Sequence, residues 1–123
     1  DGCHLGQKDM NIKKAKKILK KKIIGVTCHN SIKLAKKASL DGADYIALGA
    51  FYKSKTKKTI YKAHIKTLIN IKKTTNLPVV AIGGINAKNY KNLLLNKADF
   101  LAISGYIWNN KKLKPQQAIK NLT

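Results

Sequence analysis

The sequence predicts an α/β protein with parallel strands, built as the C-terminal half of a TIM (β/α)8 barrel, from the end of strand 4 through strand 8 and the last helix. Three observations lead to this prediction. Short apolar runs alternate with Lys-rich amphipathic segments, one sequence pattern recurs about every two such units, and glycine or serine closes several of the runs. Strands that alternate with helices form a parallel sheet through right-handed crossovers.

The apolar runs are typical of strands buried on both faces, because successive residues are apolar instead of alternating with polar ones. Residues 1–5 are expected to contain the end of an earlier strand. Four further strands are predicted at residues 23–26, 45–48, 79–82 and 100–103.

The segments between these runs have helical periodicity, with apolar residues on one face and lysines on the other. Asn30 and Asn86 stand where N-caps are expected, and Pro115 suits the first turn of a last helix. The four other helices are predicted at residues 11–21, 31–41, 61–74 and 87–97.

A sequence echo favours the barrel. Residues 42–49 (GADYIALG) resemble residues 97–104 (KADFLAIS), and residues 1–6 (DGCHLG) form a weaker third copy. The aspartates of the three copies lie 43 and 55 residues apart, about two βα units each time. Alternate strands fill the layers of a barrel interior, so a repeat in every second strand is expected.

A doubly wound sheet is the main rival fold, but no G-x-G-x-x-G segment follows a predicted strand. A complete barrel typically needs about 250 residues. The 123 residues are therefore expected to be one partial domain, 1–123, whose N-terminal strands precede residue 1.

The charge is strongly unbalanced, at +21 from 26 basic and 5 acidic residues. Every basic residue is a lysine and there is no glutamate, while Ile and Asn are abundant, as codon drift in an AT-rich genome would produce. Arginine is the preferred reader of bases and the bidentate ligand of phosphate. We therefore expect no specific nucleic-acid partner, only nonspecific binding to polyanions at low salt.

No apolar run approaches the roughly 18 residues of a membrane span, so no membrane partner is expected. The only cysteines, Cys3 and Cys28, do not make a disulfide framework or a zinc motif. A cytoplasmic location is the expectation, and a homo-oligomer stays open.

The chemistry of such a barrel lies on the loops after its strands. Gly83-Gly84 before a helix, with Ser104 at the end of the next strand, is typical of a phosphate site, although tight turns also use paired glycines. Residues 54–57 (SKTK) offer hydroxyl and ammonium groups for anionic oxygens, with a solvated surface loop as the alternative.

Asp9 is one of few carboxylates and follows the first strand, so it is either a Mg²⁺ ligand or the N-cap of the helix at 11–21. His4 and His29 are either general bases or polar groups tied into strand ends. Cys28 beside His29 is not favoured as a nucleophile and base, because adjacent residues usually point apart.

These motifs together resemble one family, the thiamine phosphate synthases. Residues 1–9 (DGCHLGQKD) look like the family's DGxHLGQxD segment, and residues 25–29 (GVTCH) look like its GVSxH segment. Residues 42–57 resemble its GADY segment with the following T-x-T-K, and residues 78–85 and 98–105 resemble its closing segments. The resemblance covers nearly the whole chain, in order.

The resemblance implies a magnesium-dependent transferase that joins hydroxymethylpyrimidine pyrophosphate to thiazole phosphate and releases pyrophosphate. The pyrophosphate leaves first, and the thiazole nitrogen captures the pyrimidinylmethyl cation, so no residue is needed as a general base. It implies Asp9 as a ligand of Mg²⁺, and Thr27 and Lys57 as contacts of the pyrimidine pyrophosphate. For the thiazole phosphate it implies Ser54, Thr56, Gly84, Ile103 and Ser104.

Some positions depart from the family pattern. Thr27 replaces the usual Ser and Ser54 the usual Thr, and both keep the hydroxyl, whereas Lys53 replaces a Pro. The family's basic pyrophosphate-binding segment and its Asn-Asp pair would precede residue 1. We therefore expect residues 1–123 to be inactive in isolation.

Two alternatives remain. A thiazole tautomerase shares the fold and uses a histidine, here His29, but it usually lacks the equivalents of Asp9, Ser54 and Thr56. The other alternative is a polybasic binding module without enzymatic activity, whose binding would persist at moderate salt.

Overall fold

A computed structural model of the chain describes residues 1–54, residue 58 and residues 60–123. In these ranges, strands and helices alternate, with one short extra helix near the end. The strands are β1 Gly2–Leu5, β2 Ile23–His29, β3 Tyr45–Leu48, β4 Val79–Ile82 and β5 Phe100–Ala102. The helices are α1 Ile12–Leu19, α2 Ile32–Leu40, α3 Ile65–Thr74, α4 Tyr90–Leu95, α5 Gly105–Trp108 and α6 Pro115–Lys120.

The five strands form one parallel sheet in the order β1-β2-β3-β4-β5. Each strand lies beside the one before it, so the sheet is wound in a single direction and has no point at which the strand order reverses. A doubly wound sheet has such a reversal, and a (β/α)8 barrel does not. The parallel α/β prediction is confirmed, and the strand order is that of a barrel segment.

The hydrophobic core lies between one face of the sheet and the helices. Ile24 and Cys28 of β2, Leu48 of β3 and Val79 of β4 are fully buried there, against Leu68 and other helix residues. Small residues of α1 and α2, with larger ones of α3 and α4, complete the layer: Ala15, Ala35, Ala38, Ile71 and Leu93.

The opposite, concave face of the sheet is open. Ile23, Ile82 and Phe100 are 55%, 45% and 61% exposed, although they belong to the apolar runs. They line a pocket of about 620 Å³ together with Tyr45 and Val80. The expectation that the strands are buried on both faces is therefore wrong for this chain, because its helices cover only one face.

The helix boundaries differ from the predicted ones where local caps decide them. Asn11 caps α1 by accepting from the Lys14 N–H, and Ser31 caps α2 by accepting from the Leu34 N–H. Asn30 was expected to cap α2, but its side chain accepts from the His64 N–H instead and ties the start of α3 to the end of β2. The other predicted cap, Asn86, also does not cap a helix directly: its side chain accepts from the Lys88 N–H in the turn before α4, which begins at Tyr90.

Two aspartates of the sequence echo make the same set of contacts. Asp44 accepts from the Ile24 N–H and the Lys16 ammonium, both at 2.7 Å. Asp99 accepts from the Val79 N–H and the Lys72 ammonium, also both at 2.7 Å. We call these two arrangements the Asp44 latch and the Asp99 latch.

Each latch joins the beginnings of two neighbouring strands to the helix that precedes the first of them. The aspartate's own N–H strengthens the join, since Asp44 donates to the Ile24 carbonyl and Asp99 to the Val79 carbonyl. The echo in the sequence therefore reflects a repeated structural unit of two βα elements.

The described ranges contain no helix that is both long and apolar enough to cross a membrane.

Candidate functional site

The loops that follow the strands lie at one edge of the sheet, since all five strands are parallel. Every described residue that the sequence predicts for the site lies at this edge. The order along it is Asp9 after β1, Thr27 near the end of β2, Ser54 after β3, Gly84 after β4, and Ile103 and Ser104 after β5.

Asp9 closes a tight turn after β1. Its carboxylate Oδ2 accepts from the Gly6 N–H at 2.7 Å, and its own N–H donates to the Gly6 carbonyl at 3.1 Å. The helix that follows is capped by Asn11, so the alternative in which Asp9 caps that helix is wrong. Asp9 is exposed at the edge of the sheet, with one oxygen already engaged by the turn.

Thr27 is held from two sides on the concave face. Its hydroxyl Oγ1 lies 2.8 Å from Nε2 of His4, and its carbonyl accepts from the Gln7 side-chain amide at 2.6 Å. The pairing between β2 and β3 shifts by one residue between Thr27 and His29, which have consecutive partners in β3. This bulge re-aims the side chains at the end of β2, as bulges commonly do near functional sites.

Cys28 and His29 point in different directions. Cys28 is fully buried on the helix side, and burial raises the pKa of its thiol to about 12, which makes it a poor nucleophile. The His29 ring stacks on Tyr61, with 3.7 Å between the ring centroids, and burial lowers the pKa of His29. The two residues do not form a nucleophile and base pair.

Ser54 is half-buried in the loop after β3. Two other predicted residues of that loop, Thr56 and Lys57, lie outside the described residues. The beginning of the loop runs along the next loop of the edge, because the Phe51 N–H donates to the Ile82 carbonyl and the Tyr52 N–H donates to the Gly83 carbonyl.

Gly83 and Gly84 have positive φ angles of 104° and 63°. A Cβ at Gly84 would lie 2.5 Å from the carbonyl oxygen of Lys53, and one at Gly83 would lie 2.4 Å from the Cβ of Ala50. The glycines therefore let the loop after β3 pack directly on the turn after β4, which brings Lys53, the neighbour of Ser54, against Gly84. This geometry supports the turn interpretation of Gly83-Gly84, and it is compatible with a phosphate site.

Ile103 and Ser104 lie beside this turn. Ile82 of β4 pairs with Ala102 of β5, so Gly83-Gly84 and Ile103-Ser104 leave the sheet from neighbouring positions. Ser104 is exposed at the start of α5, a helix of four residues that was not predicted.

The edge therefore has two parts. We call the ends of β1 and β2 and the loops that follow them, with Asp9 and Thr27, the β1–β2 rim. The loops after β3, β4 and β5, with Ser54, Gly84 and Ser104, are the β3–β5 rim. Neighbouring strands lie about 4.8 Å apart, so β1 and β5 are separated by roughly 19 Å along the sheet. The predicted residues lie on one edge of the sheet. Only a ligand, or a pair of ligands, that extends along this edge can contact both parts.

Two residues that support the β1–β2 rim had no predicted part in the site. Tyr45 belongs to the sequence echo but was read only as a strand residue, and its hydroxyl lies 2.9 Å from Nδ1 of His4. Gln7 lies in the loop after β1 and had no predicted role, and its side chain holds the Thr27 carbonyl. His4 is tied into the strand ends, as one of its two interpretations expected. The sequence feature that could have pointed to Tyr45 is the glycine at position 25, because it leaves room for a ring from the neighbouring strand.

No group of three or more His, Cys, Asp or Glu side chains that could hold a metal ion occurs in residues 1–54, 58 and 60–123. Asp9 is therefore a single carboxylate. Mg²⁺ in phosphate-handling proteins commonly uses one or two carboxylates together with substrate oxygens and water. Asp9 can supply one such carboxylate.

A family profile described as thiamine monophosphate synthase matches residues 1–107. The thiamine-phosphate synthase of Pelagibacter ubique (strain HTCC1062) is 71% identical over 122 residues, which are 99% of this chain and 59% of the relative. The thiamine-phosphate synthase of Nitrosomonas eutropha (strain DSM 101675 / C91 / Nm57) is 46% identical over 105 residues, which are 85% of this chain and 50% of the relative. The chain spans between half and three fifths of the length of these relatives.

One solved structure, thiamine phosphate pyrophosphorylase from Pyrococcus furiosus, matches the fold with a TM-score of 0.88 and 31% sequence identity. The match covers 99% of this chain and 57% of that chain.

Proposed function

The chain belongs to the thiamine monophosphate synthase family, and from that premise we propose that it forms the C-terminal part of a thiamine-phosphate synthase. The reaction is the transfer of a pyrimidinylmethyl group from hydroxymethylpyrimidine pyrophosphate to thiazole phosphate, with release of pyrophosphate. The observation that carries this proposal is the common edge: Thr27, Gly84 and the other described family residues all follow strands of one parallel sheet.

The two rims suit two substrates. We assign the pyrimidine pyrophosphate to the β1–β2 rim, where Thr27 offers a hydroxyl, with Lys57 reaching it from the loop after β3. We assign the thiazole phosphate to the β3–β5 rim, where backbone groups at Gly84 and Ile103 and the hydroxyls of Ser54, Thr56 and Ser104 would surround it. Separate sites on one edge allow the two heterocycles to meet over the concave face.

Mg²⁺ is the proposed cofactor, with Asp9 as the ligand that this chain supplies. When bound, the ion neutralises the negative charge that develops on the leaving pyrophosphate. The Gly6 N–H holds one Asp9 oxygen at 2.7 Å and so fixes the direction of the carboxylate. Asp9 lies on the same rim as Thr27, so both can contact one pyrophosphate group.

In the proposed reaction, residues of this chain position the substrates and stabilise charge, and they do not remove a proton. Departure of pyrophosphate is helped by hydrogen-bond donors and cations aimed at the oxygens that gain charge. Thr27 and Lys57 fill that role. No side chain is assigned as a general base.

We propose that residues 1–123 are part of a larger domain whose other strands close the barrel around the open face. The exposed apolar side chains of Ile23, Ile82 and Phe100 lie on that face, and β1 and β5 are the outer strands of the sheet. The relatives have further chain of comparable length beyond the matched part. We place the complete protein in the cytoplasm with small-molecule substrates, as a monomer or a homo-oligomer.

A chimeric protein tests the proposal. Residues 1–123 are expressed alone, and also joined to the part of the Pelagibacter ubique synthase that the match leaves uncovered. We expect no thiamine phosphate from the chain alone and magnesium-dependent formation from the joined protein, measured by chromatography after addition of both substrates.

Asp9→Asn in the joined protein is the matched variant. We expect it to lower turnover at limiting Mg²⁺, with partial recovery as the Mg²⁺ concentration rises. A well-folded joined protein that forms no thiamine phosphate at any Mg²⁺ concentration would contradict the proposal, and turnover by residues 1–123 alone would contradict the expected inactivity.

The tautomerase alternative through His29 has no support from the relatives described above, which are named as synthases. His29→Gln in the joined protein separates the two functions. The synthase is expected to keep most of its activity, whereas a tautomerase would lose it.

A further inference from the structure

A single row of residues crosses β1, β2 and β3 on the concave face, two residues before Thr27 along β2. His4 of β1 pairs with Gly25 of β2, and Gly25 pairs with Tyr45 of β3. The Tyr45 ring lies over Gly25, because a Cβ at Gly25 would be only 1.9 Å from Cζ of that ring. The absence of a side chain at position 25 thus lets the Tyr45 hydroxyl reach Nδ1 of His4 at 2.9 Å.

The second nitrogen of the same ring contacts a proposed substrate-binding residue. Nε2 of His4 lies 2.8 Å from Oγ1 of Thr27, so the three side chains form a chain of hydrogen bonds from Tyr45 through His4 to Thr27. Gln7 holds the Thr27 carbonyl at 2.6 Å and fixes the backbone at this point. The torsion of the Thr27 hydroxyl is then set by its bond with His4.

The shift in the pKa of His4 favours a neutral ring at pH 7. Burial lowers the pKa of His4, and the nearby charge of Asp9 offsets only part of that effect. Burial also raises the pKa of Tyr45, with a smaller contribution from Cys3, so the phenol keeps its proton. A neutral imidazole has one N–H donor and one acceptor nitrogen, so His4 can be a donor to only one of its two partners.

The two tautomers of His4 have opposite consequences for Thr27. With the proton on Nδ1, His4 donates to Tyr45 and accepts the Thr27 proton, so that Thr27 presents only lone pairs to a ligand. With the proton on Nε2, Tyr45 donates to Nδ1, His4 donates to Thr27, and the Thr27 proton is directed outward. Only the second arrangement suits an anionic phosphate oxygen, which needs a donor.

We propose that His4 and Tyr45 are positioning residues that orient the Thr27 hydroxyl as a hydrogen-bond donor to a pyrophosphate oxygen. When Tyr45 donates to Nδ1, the His4 proton lies on Nε2, and His4 then sets the direction of the Thr27 proton. This inference rests on the proposed function of Thr27 and adds to it the reason why a Tyr, a Gly and a His share one row of the sheet.

The tautomer is measured directly on residues 1–123 by long-range ¹H–¹⁵N correlation of the imidazole rings at pH 8. His29→Gln and His64→Gln assign the three histidines. We expect the proton of His4 on Nε2, and a lower fraction of that tautomer in Tyr45→Phe. A proton on Nδ1 in the unsubstituted chain would overturn the inference whatever the protein's activity.

Binding of inorganic pyrophosphate in the presence of Mg²⁺ gives the second readout. We expect the dissociation constant to rise about five- to tenfold in Tyr45→Phe and at least about tenfold in His4→Ala, since each removes one hydrogen bond that orients a donor to a charged group. His4→Gln should stay within about twofold, because its amide nitrogen can replace the Nε2 donor. His64→Gln is the control, and thermal melting checks that each variant is folded.

The outcomes separate the two proposals. Equal binding by the unsubstituted chain, Tyr45→Phe and His4→Ala would overturn the orienting role and leave the proposed function intact. A failure of the joined protein described above to bind pyrophosphate would overturn the proposed function, and this inference would fail with it.

Discussion

The two parts of the functional edge are built by different means. At the β1–β2 rim, side chains hold one another: His4 and Gln7 fix Thr27 through hydrogen bonds of 2.8 Å and 2.6 Å. At the β3–β5 rim, the backbone of residues 50–53 packs directly on Gly83 and Gly84. A substitution in the first rim should therefore change ligand binding while the fold persists, whereas one in the second should disturb the fold itself.

Gly84→Ala is the strongest test of this difference. Position 84 has a positive φ of 63°, and a Cβ there would lie 2.5 Å from the Lys53 carbonyl oxygen, a backbone atom that cannot move alone. We expect the free energy of unfolding to fall by about 2–4 kcal/mol, from left-handed strain and overpacking together. Urea denaturation measures the loss.

Gly42→Ala is the matched control for that measurement. Gly42 also has a positive φ, of 92°, but the nearest atom to an added Cβ is the flexible Lys16 Cε at 3.9 Å. It should lose only the strain contribution, about 1–2 kcal/mol. Equal losses at the two positions would show that the contact with the loop after β3 does not hold the β3–β5 rim together.

Gly25→Ala makes the corresponding change in β2, two residues before Thr27 of the β1–β2 rim. Its Cβ would meet the Tyr45 ring, which is a side chain that can rotate away. We expect a loss of about 1–2 kcal/mol in the free energy of unfolding, smaller than for Gly84→Ala because the backbone need not move. The His4 ring should lose its contact with Tyr45, and the imidazole ¹⁵N shifts should move as they do in Tyr45→Phe.

An unchanged imidazole spectrum in a folded Gly25→Ala protein would contradict the row that we describe across β1, β2 and β3. A loss as large as that of Gly84→Ala would show that the two rims do not differ in rigidity.

Acid titration gives the smallest expected effect and tests what the rims share. Hydrogen bonding from Lys16 lowers the pKa of Asp44 against an opposing effect of burial. Burial raises the pKa of Asp99, but the hydrogen bonds from Lys72 and the Val79 N–H outweigh it, so the pKa is lowered overall. The Asp44 latch joins β2 to β3 and the Asp99 latch joins β4 to β5, and both aspartates have their pKa shifted in the same direction.

A lowered pKa in the folded protein means that each aspartate stabilises the fold above its unfolded pKa of about 3.9. This contribution is lost as the pH falls through the folded pKa. We expect a decrease in the free energy of unfolding below about pH 4, of at most about 1 kcal/mol for each partly exposed pair. Asp44→Asn and Asp99→Asn should each remove part of that decrease in urea denaturation at pH 6 and pH 3. If the free energy of unfolding fell as much between pH 6 and pH 3 in the variants as in the unsubstituted chain, this prediction would be wrong.

The sequence predicts the elements well where the signal is local. The apolar runs locate β3 and β4 at their observed boundaries, residues 45–48 and 79–82. Pro115 begins the last helix as expected. The sequence echo also predicts a real structural repeat, because its aspartates form equivalent latches. These features depend on residues close in sequence or on one repeated motif.

The sequence does not predict features that depend on packing between distant segments. Asn30 binds the start of α3 rather than capping α2, because a serine one residue later caps that helix. The row of His4, Gly25 and Tyr45 depends on the register of three strands, which no local pattern specifies. Exposure of the concave face was missed because an apolar run indicates burial without indicating what covers each side.

The predicted site residues follow the same division. Motif resemblance predicts Asp9, Thr27, Gly84 and Ser104 as site residues, and all four lie at one edge of the sheet. It does not reveal that position 84 must be glycine so that the Lys53 carbonyl can pack against it, because that requirement arises from the path of another loop.

The two aspartate latches also affect how the chain opens. Each joins a helix and two strands that are as many as 28 residues apart in sequence, so none of the three can separate while the latch persists. Amide hydrogens in α1, β2 and the beginning of β3 should therefore exchange with solvent as one cooperative block, and those in α3, β4 and the beginning of β5 as another. The sheet would then open in two steps rather than strand by strand from its outer edges.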